Sequence, residues 1–554
     1  MSTDRSARLV RAVEARRTRE SWSAYPEAPS RHPGGEAARE AGLKAHESRL
    51  GGRFDLPEHP GSPAVARGEV SPYTGEPLGV AYPVASADEV YRTALAAWPA
   101  WRDATPETRT ELCLAACDRI YERSFEFVPA TMHTAGQSAA MSFTGSGTNA
   151  LDRGIEAIAA AWSAMERVTP HATWTRGFGT AELSLDKRYR IVPRGVAVVV
   201  TCASFPAWNA YPAIFANLAT GNPVIVKPHP TAVLPMALAV AACREVLAGA
   251  GFDPGLVTLA VDTAEAPVAK ELIGHPACRI VDFTGSAAFG AWVEANAFPA
   301  ISYTETSGLN AVVLDSADDL APVLRAVAGS LCLFSAQMCT SPQNIFVPRA
   351  GVRTSSGTVS FEEVGEALAE AVRQISTVPR RAASVLAAIQ SPATLALVDG
   401  LRDRGTVLLD AAPYEHPEFP AARTSGPLLL ATEDPAVYGE ERFGPVAFLV
   451  PAEDREAALR TASADARDKG AITAFCYSVD EDFVGRAEDA FALAGAALTS
   501  NLTGPMPLNF SAAYSDYHVS GLNPAGNASL TDDAFVSGRF RVTQSRRPAV
   551  SHRR

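Results

Sequence analysis

The stretch Gly195–Pro228, GVAVVVTCASFPAWNAYPAIFANLATGNPVIVKP, predicts a strand, a helix and a second strand in immediate succession. GVAVVV and VIVKP are apolar runs without polar alternation, which is typical of strands that are buried on both faces of a parallel sheet. The segment from about Ala207 to Ala219 has a helical pattern and ends in the turn Gly221-Asn222-Pro223. A helix that returns the chain to a parallel strand is the unit of doubly wound α/β sheets.

Further alternations of helix and strand follow this unit. The pattern continues through 231–249, 256–261 and 271–286, so that residues 194–300 resemble a doubly wound sheet of the nucleotide-binding type. Beyond Glu305, a second series indicates another α/β domain. Its strands are expected at 310–315, 344–349, 406–409 and 427–430, and its helices at 318–334 and 361–375.

The two ends of the chain differ from this α/β body. Residues 1–64 are rich in Arg, Glu and Ala and are broken by a Pro- and Gly-containing stretch, which predicts a helical arm and a linker. FRVTQ (540–544) is expected to form an edge strand that pairs with another subunit. We therefore divide the chain into the arm and linker at 1–64, a nucleotide-binding domain at 65–304 with bridging strands at about 173–192, a second α/β domain at 305–505, and a tail at 506–554.

One helix boundary depends on a proline. Ser86 and Glu89 fit a capping box that opens a helix, and the following residues have good helix propensity. Because proline has no backbone N–H and collides with the preceding turn, this helix is expected to end at Pro99.

Composition and charge narrow the function classes. A chain of 554 residues is expected to hold two or three domains. The net charge of −12 offers no basic excess for nucleic acid, and no apolar run is long enough to span a membrane. The eight cysteines lack CxxC and zinc-type spacing, so we expect free thiols and no metal site. Since the N-terminus also lacks a signal-peptide apolar region, a cytoplasmic protein is expected.

Two residues in polar turns are candidates for catalysis. In GSLCLFSAQMCTSPQNIFV (329–347), Cys339 lies between a helix-like run and a strand-like run. Glu305 lies 34 positions earlier (339 minus 305) in the turn TETSGLN. A thiol and a carboxylate can act as nucleophile and general base. The alternative interpretations are a solvated turn glutamate and a buried inert thiol, and the latter is expected for Cys113, Cys117, Cys243, Cys278 and Cys332.

A turn of small residues follows a predicted strand at Phe283–Gly290, FTGSAAFG, and opens a helix. Small residues at such a position expose backbone N–H groups and the positive end of a helix dipole to an anion. Many strand–helix turns contain Gly and Ser, so the turn by itself is equally well an ordinary connection.

Five segments, taken in order, resemble motifs of the aldehyde dehydrogenase superfamily over about residues 65–510. They are SFPAWN…ATGNPVIVKP, FTGSAAFG, TETSGLN, AQMCTSPQNIFV and EERFGPV. The separation of Glu305 from Cys339 also agrees with this family. The resemblance implies an aldehyde dehydrogenase-like α/β fold, with a Rossmann-type cofactor domain, an α/β catalytic domain and small oligomerisation elements.

The resemblance also implies a mechanism. Cys339 would attack an aldehyde to give a thiohemiacetal, and loss of hydride to a nicotinamide would leave a thioester for water to hydrolyse, with Glu305 as the general base. The family's oxyanion asparagine stands 23 residues before its cofactor lysine, and counting back from Lys227 gives Ser204 (227 minus 23). Asn209 is five residues out of that register (209 minus 204). Ser204, Asn209 through a shifted helix start, and the backbone alone therefore remain open as oxyanion donors.

Cofactor contacts are implied in the same way. Lys227 is expected at the adenosine ribose, and Gly285 and Ser286 near the pyrophosphate or the nicotinamide half. Glu441 and Phe443 are expected at the nicotinamide ribose and ring.

The residues after Lys227 bear on the choice of cofactor. NAD-preferring relatives carry an acidic residue three positions on, where this chain has Pro230. With no carboxylate there to repel a 2′-phosphate, and with His229 nearby, we expect NADP to be preferred over NAD.

Finer resemblances point to a subgroup. The Arg-rich N-terminus, SFPAWNAYP, KPHP and DYHVSGLNPAGNAS resemble the phenylacetic acid degradation aldehyde dehydrogenases. This implies a ring-opened semialdehyde substrate, free or linked to coenzyme A (CoA), and a homodimer or homotetramer assembled through segments such as 185–192 and 525–548. Two other functions stay open. A CoA-acylating dehydrogenase is one, although such enzymes commonly lack the glutamate found here as Glu305; a non-catalytic scaffold is the other, and the serine at Ser204 favours it.

Overall fold

The computed structural model describes residues 2–66, 68–306, 308–517 and 533–549. Part of the tail expected to mediate oligomerisation, and most of DYHVSGLNPAGNAS, therefore lies outside the described residues. Within the described ranges, no helix is both long enough and apolar enough to cross a membrane.

The N-terminal third is mainly helical. Helices α1 and α2 form the predicted arm, and apolar residues of α1 such as Leu9 and Ala12 are buried in the same core as α4 and α7. The elements are α1 (Thr3–Thr18), α2 (Gly35–Arg49), β1 (Ser62–Ala66), β2 (Tyr82–Val84), α3 (Ala87–Asp103), α4 (Pro106–Glu122), α5 (Ser124–Ala135), α6 (Ala139–Phe143), and α7 (Ala150–Glu166) after a π-helical segment Thr144–Asn149.

The expected end of helix α3 at Pro99 is wrong. The helix begins at the predicted N-cap Ser86 but continues through Pro99 to Asp103. The carbonyl that loses its partner belongs to Leu95, on the exposed side of the helix, where water can satisfy it. The buried Trp101 donates its indole N–H to the carbonyl oxygen of Leu218 at 3.0 Å and holds the C-terminal half in place.

The middle of the chain forms the predicted doubly wound sheet. Its five strands are all parallel, in the order β7-β6-β5-β8-β9, so the strand order reverses between β5 and β8. Ligands of such sheets bind at this switch point, outside the carboxyl ends of the strands. The elements are β3 (His171–Phe178), β4 (Ala181–Pro193), β5 (Val196–Val200), α8 (Ala210–Ala219), β6 (Val224–Lys227), α9 (Leu234–Gly249), β7 (Val257–Leu259), α10 (Ala269–Gly274), β8 (Cys278–Gly285), α11 (Ala287–Asn296) and β9 (Ile301–Thr306).

Burial explains why β5 is apolar without alternation. Ala197 and Val199 pack into one hydrophobic cluster, while Val196, Val198 and Val200 pack into another on the opposite face. A strand that is covered on both faces has no position for a polar residue.

The second α/β domain has a seven-stranded sheet in the order β14-β15-β16-β11-β10-β17-β18. All its pairings are parallel except that of β14 with β15. The strands expected after Glu305 are confirmed within two residues at either end. The elements are β10 (Ala311–Leu314), α12 (Leu320–Cys332), β11 (Asn344–Pro348), β12 (Val352–Thr354), β13 (Gly357–Val359), α13 (Phe361–Ser376), α14 (Pro379–Val385), α15 (Pro392–Asp399), β14 (Thr406–Leu409), β15 (Leu428–Ala431), α16 (Pro435–Tyr438), β16 (Val446–Ala452), α17 (Arg455–Lys469), β17 (Thr473–Tyr477), α18 (Glu481–Ala494) and β18 (Ala497–Ser500).

A third sheet is antiparallel, with the strand order β19-β4-β3. Its strand β19 comes after the short helix α19 (Asp533–Ser537). FRVTQ is indeed an edge strand, β19 (Phe540–Pro548), but it pairs with β4 of its own chain over nine residues. The fully buried Arg539 anchors β19 to the doubly wound sheet through an ion pair with Asp282, at 2.6 Å. Because β4 occupies one edge of β19, only the opposite edge of this strand is available for the expected pairing with another subunit.

Candidate active site

A cavity of about 870 Å³ lies over the switch point of the doubly wound sheet and reaches the second domain. At one end it is lined by Lys227, at the carboxyl end of β6. At the other end it is lined by Cys339 and Glu305. All ten residues predicted for the site line this one cavity: Cys339, Glu305, Ser204, Asn209, Lys227, His229, Gly285, Ser286, Glu441 and Phe443.

Cys339 stands in an irregular loop that follows α12. Three consecutive residues of this loop, Phe334, Ser335 and Ala336, have left-handed φ angles of 50°, 50° and 52°. Each such non-glycine residue costs on the order of 1–2 kcal/mol. The hydroxyl of Ser335 donates to the carbonyl oxygen of Leu386 at 3.0 Å, so an opposing segment helps to hold the strained turn.

Gln337 ties the same loop to that segment. Its side-chain amide donates to the carbonyl oxygens of Phe334 and Ala388, at 3.1 and 3.0 Å. Its Oε1 accepts the backbone N–H of Gln390 at 2.8 Å. Both ends of this buried amide are thus used in positioning the turn before Cys339.

Asn310 holds the other side of the cysteine loop, and sequence reasoning missed it. Its Nδ2 donates to the carbonyl oxygens of Cys339 and Ser341, at 2.8 and 2.9 Å. Its Oδ1 accepts the backbone N–H groups of Ile472 and Thr473, each at 3.0 Å. Asn310 is the last residue of the motif TETSGLN, but its hydrogen-bond partners are distant in sequence, so the motif alone did not predict its role.

The structure brings Glu305 to Cys339. Glu305 lies near the end of β9, is 4% exposed, and its carboxylate hydrogen-bonds to the Cys339 thiol. Burial, followed by the negative charge of Glu305, raises the pKa of Cys339 well above its ordinary value. The thiol therefore needs a base to ionise near neutral pH, and the carboxylate beside it can accept that proton.

A second thiol, Cys202, lines the cavity and was not singled out from the sequence. It follows β5 directly, and its Sγ lies 3.4 Å from the carbonyl oxygen of Phe205, to which it donates. Burial raises the pKa of Cys202 to about 11. Its position directly after an apolar strand could have predicted that Cys202 lies in the ligand cavity, because ligands bind at the carboxyl ends of parallel strands.

Both candidate oxyanion donors line the cavity, and Ser204 contacts this thiol. The hydroxyl of Ser204 hydrogen-bonds to Cys202, and its carbonyl oxygen accepts the side-chain amide of Gln137 at 2.7 Å. Helix α8 begins at Ala210, three residues later than expected, and Asn209 is its N-cap. The Oδ1 atom of Asn209 is buried and has no hydrogen-bond partner in the described part of the chain.

The opposite end of the cavity holds an ion pair. The ammonium of Lys227 lies 2.7 Å from Oδ1 of Asp262, and both side chains are almost fully buried. Asp262 also accepts the backbone N–H of Val268 at 3.0 Å through Oδ2. His229 stands beside this pair, and burial together with the charge of Lys227 lowers its pKa to about 4. Sequence reasoning missed Asp262, because it lies in the loop after β7 and not in the lysine segment.

The small-residue turn lies where it was predicted, between β8 and α11. Ser286 is the N-cap of α11 and accepts the backbone N–H of Phe289 at 3.4 Å. A Cβ atom on Gly285 would lie 2.7 Å from the ring of Phe283, so a larger residue there would require that ring to move. The N-terminus of the ten-residue helix α11 therefore faces the cavity.

The loop with Glu441 and Phe443 is held by Gln343. The Gln343 amide donates to the carbonyl oxygens of Tyr438 and Glu440, at 3.2 and 3.1 Å. Its Oε1 accepts the backbone N–H of Arg442 at 2.6 Å. These bonds place the loop on the cavity wall.

These features fit a dinucleotide. The cavity runs along the carboxyl ends of β5, β6 and β8, with a helix N-terminus for a pyrophosphate near its middle. The buried Oγ1 of Thr201 lines it and has no hydrogen-bond partner among the residues described. By contrast, the described ranges contain no group of three or more His, Cys, Asp or Glu residues arranged to hold a metal ion.

The sequence matches the profile of the aldehyde dehydrogenase family over residues 66–474. The structure superposes on an NAD-dependent aldehyde dehydrogenase from Burkholderia multivorans with a TM-score of 0.96. The two are 42% identical in sequence, and the match covers 99% of this chain and 98% of that chain. The fold is therefore shared over nearly the whole length.

Curated relatives are more distant. The chain is 27% identical to the 3,4-dehydroadipyl-CoA semialdehyde dehydrogenase of Aromatoleum evansii, over 52% of this chain and 57% of the relative. It is 24% identical to the 2-aminomuconic semialdehyde dehydrogenase of Bos taurus, over 76% of this chain and 84% of the relative. The chain spans less than two thirds of the length of several other curated relatives as well.

Proposed function

Because the chain belongs to the aldehyde dehydrogenase family, we propose that it oxidises an aldehyde to a carboxylic acid with NAD(P)⁺. The observation that carries the proposal is the hydrogen bond between the Glu305 carboxylate and the Cys339 thiol in a dinucleotide-sized cavity. A nucleophile with a general base in contact can form and hydrolyse a covalent acyl intermediate. The Burkholderia multivorans protein, which is described as NAD-dependent, supports a nicotinamide cofactor.

Cys339 begins the reaction. Glu305 takes the thiol proton, and the sulfur attacks the aldehyde carbon to form a thiohemiacetal. NAD(P)⁺ held by Lys227, Glu441 and the turn at Gly285 would supply the hydride acceptor for that carbon, and Cys339 would then carry the acyl group as a thioester. Glu305 releases the thiol proton to solvent and then removes a proton from water, which adds to the thioester carbonyl. The C–S bond breaks, the acid leaves, and the proton held by Glu305 passes to the Cys339 thiolate. The balance is one aldehyde, one water and one NAD(P)⁺ consumed, with one acid, one NAD(P)H and one H⁺ formed.

The oxyanion formed by the attack requires hydrogen-bond donors. We assign this role to the Cys339 backbone N–H and the Asn209 side chain, because the Ser204 hydroxyl is already engaged with Cys202. Replacement of one such donor lowers kcat by about 10²–10³. An Asn209→Ala variant is expected to lose that much and Ser204→Ala less than tenfold; the reverse order in steady-state assays would transfer the role to Ser204.

For the substrate, we propose a semialdehyde from aromatic-ring degradation, such as phenylacetate breakdown, either free or linked to CoA. The names of the two semialdehyde dehydrogenases support a semialdehyde, and one of them includes CoA. The phenylacetate pathway is proposed from the sequence resemblance alone. Apolar side chains that line the cavity could pack against the carbon chain of such a substrate. They are Met141, Phe205, Trp208, Met338 and Phe510.

An aldehyde panel tests the function. Purified protein is incubated with simple aldehydes, dicarboxylic semialdehydes and CoA-linked semialdehydes, and NAD(P)H and the acyl product are quantified with and without free CoA. The proposal expects a free carboxylate without added CoA. Acyl-CoA formation that requires free CoA would establish the CoA-acylating reaction in its place, and no turnover of any aldehyde would favour a scaffold.

For the assembly, we propose a homodimer or homotetramer formed through the antiparallel sheet. Phe178, Leu183 and Val542 are exposed on this sheet, at 54%, 41% and 47%. Exposed apolar residues beside an unpaired strand edge favour an interface. Light scattering should give a mass two or four times that of the chain, and a monomer at micromolar concentration would contradict this.

A further inference from the structure

We infer that Asp262 selects NAD⁺ against NADP⁺ by binding the adenosine ribose hydroxyls beside Lys227. This inference rests on the proposed use of NAD(P)⁺ and reverses the preference expected from Pro230. That expectation depended on the absence of a carboxylate near the lysine, and the fold supplies one from a different strand.

The position of Asp262 follows from the sheet. β6 and β7 are adjacent and parallel, so their carboxyl ends meet at one edge, with Lys227 after one strand and Asp262 just beyond the other. Both residues line the cavity, at the end away from Cys339. A carboxylate at this edge of a doubly wound sheet is placed to accept hydrogen bonds from ribose hydroxyls.

The contacts of Asp262 fix its orientation. Oδ2 accepts the Val268 backbone N–H at 3.0 Å, and Oδ1 lies 2.7 Å from the Lys227 ammonium. A carboxylate oxygen has two acceptor sites, so Oδ1 can take a ribose hydroxyl while it remains paired with the lysine. The side chain is therefore positioned before any ligand arrives.

Charge determines the preference. Lys227 and Asp262 neutralise each other, so the lysine offers little excess positive charge to a 2′-phosphate. A 2′-phosphate on the ribose would place about two negative charges against the buried carboxylate, and such a like-charge contact is strongly unfavourable. A 2′-hydroxyl has no such cost.

His229 does not compensate for this repulsion. It was the residue expected to favour NADP, but burial and Lys227 hold its pKa at about 4. It is therefore neutral at physiological pH, and its Nδ1 is already within 2.8 Å of the Thr231 hydroxyl. A neutral imidazole adds no positive charge for a 2′-phosphate.

Equilibrium binding tests the inference without turnover. The Kd values of NAD⁺ and NADP⁺ are measured by titration calorimetry for the parent protein, Asp262→Asn and Asp262→Glu. We expect the parent to bind NAD⁺ at least about tenfold more tightly, Asp262→Asn to lose about tenfold of that preference or more, and Asp262→Glu to retain it. Asparagine keeps an acceptor for the Val268 N–H, so a merely structural role would leave the ratio unchanged.

Asp253→Asn is the matched control. Asp253 caps a short helix through the Gly255 N–H at 2.7 Å, is exposed, and lies at the opposite end of β7 from Asp262. Its neutralisation should leave both Kd values unchanged within about twofold. A parent that binds NADP⁺ as tightly as NAD⁺, or an unchanged ratio in Asp262→Asn, overturns the inference.

The two proposals fail in different ways. Selective NAD⁺ binding without oxidation of any aldehyde would support the role of Asp262 and contradict the proposed reaction. Aldehyde oxidation with tighter NADP⁺ binding would support the reaction and overturn the role of Asp262. Absence of binding by either dinucleotide would overturn both.

Discussion

Each end of the cavity contains a buried carboxylate, but the two carboxylates have different neighbours. Asp262, 6% exposed, faces the ammonium of Lys227 at 2.7 Å. Glu305, 4% exposed, faces the thiol of Cys339 and raises the pKa of that thiol. A carboxylate therefore belongs to a buried ion pair at one end, and at the other it lies beside a thiol whose proton it can accept. Its function depends on the partner that the fold places within hydrogen-bonding distance.

The backbones of the two ends differ as well. Lys227 is the last residue of a regular strand, whereas Cys339 follows three left-handed residues in a loop that Asn310 and Gln337 hold in place. A binding surface can be built from strand ends alone. The proposed nucleophile is instead positioned by a strained backbone and by long-range hydrogen bonds.

The largest expected effect is the loss of the nucleophile. Cys339→Ala should lower kcat/KM by at least about a thousandfold, because the substitution removes the sulfur that would form the thioester. Calorimetric titration should show NAD(P)⁺ binding within about twofold of the parent, since the far end of the cavity is untouched. Cys332→Ala, which removes a fully buried thiol seven positions earlier, is the matched control. An active Cys339→Ala variant would invalidate the catalytic assignment.

Glu305→Gln should lower kcat by about 10²–10³, because the general base is lost. The pKa of the Cys339 thiol should fall at the same time, since burial remains but the neighbouring negative charge is removed. Iodoacetamide alkylation as a function of pH measures this, and its midpoint should move to lower pH. A midpoint that moves upward, or an unchanged kcat, would show that Glu305 is not the charge or the base at this thiol.

Asn310→Ala tests the positioning of the loop. It removes four hydrogen bonds of a buried side chain, so the free energy of unfolding should fall by about 2–4 kcal/mol and kcat/KM by about tenfold to a hundredfold. Urea unfolding and steady-state kinetics measure the two effects. Asn296→Ala serves as the control, because this exposed side chain makes one local bond to Trp292. Equal effects of the two substitutions would contradict the role of Asn310.

The pH dependence is the smallest effect. Since the folded-state pKa of Cys339 is raised, its contribution to stability is full below the unfolded-state thiol pKa of about 8.5 and is lost as the pH rises through the folded value. Above about pH 8.5, the parent should therefore lose unfolding free energy more steeply than Cys339→Ala, by up to about 1.4 kcal/mol per pH unit. The midpoints of urea unfolding are measured for both proteins at pH 7, 9 and 10. Midpoints that fall equally with pH in the two proteins would contradict the raised pKa.

Local pattern was sufficient to place the buried strands, but not every helix end. Continuous apolar runs predicted β5 and β6, because both faces of these strands are covered. Pro99 misled the prediction of α3, since the tertiary contact of Trp101 compensates for the missing hydrogen bond. Propensity describes a residue by itself, whereas the helix end was decided by what the next turn packs against.

The sequence by itself determined the doubly wound sheet, the second α/β domain and the family motifs that lead to Cys339, Glu305 and Lys227. Only the tertiary structure brought Asp262 to Lys227 and Asn310 to the cysteine loop. The physical reason is that strand and helix patterns repeat over a few neighbouring residues. The pKa of a thiol and the charge beside a ribose depend instead on groups that are distant in sequence and meet where parallel strands end.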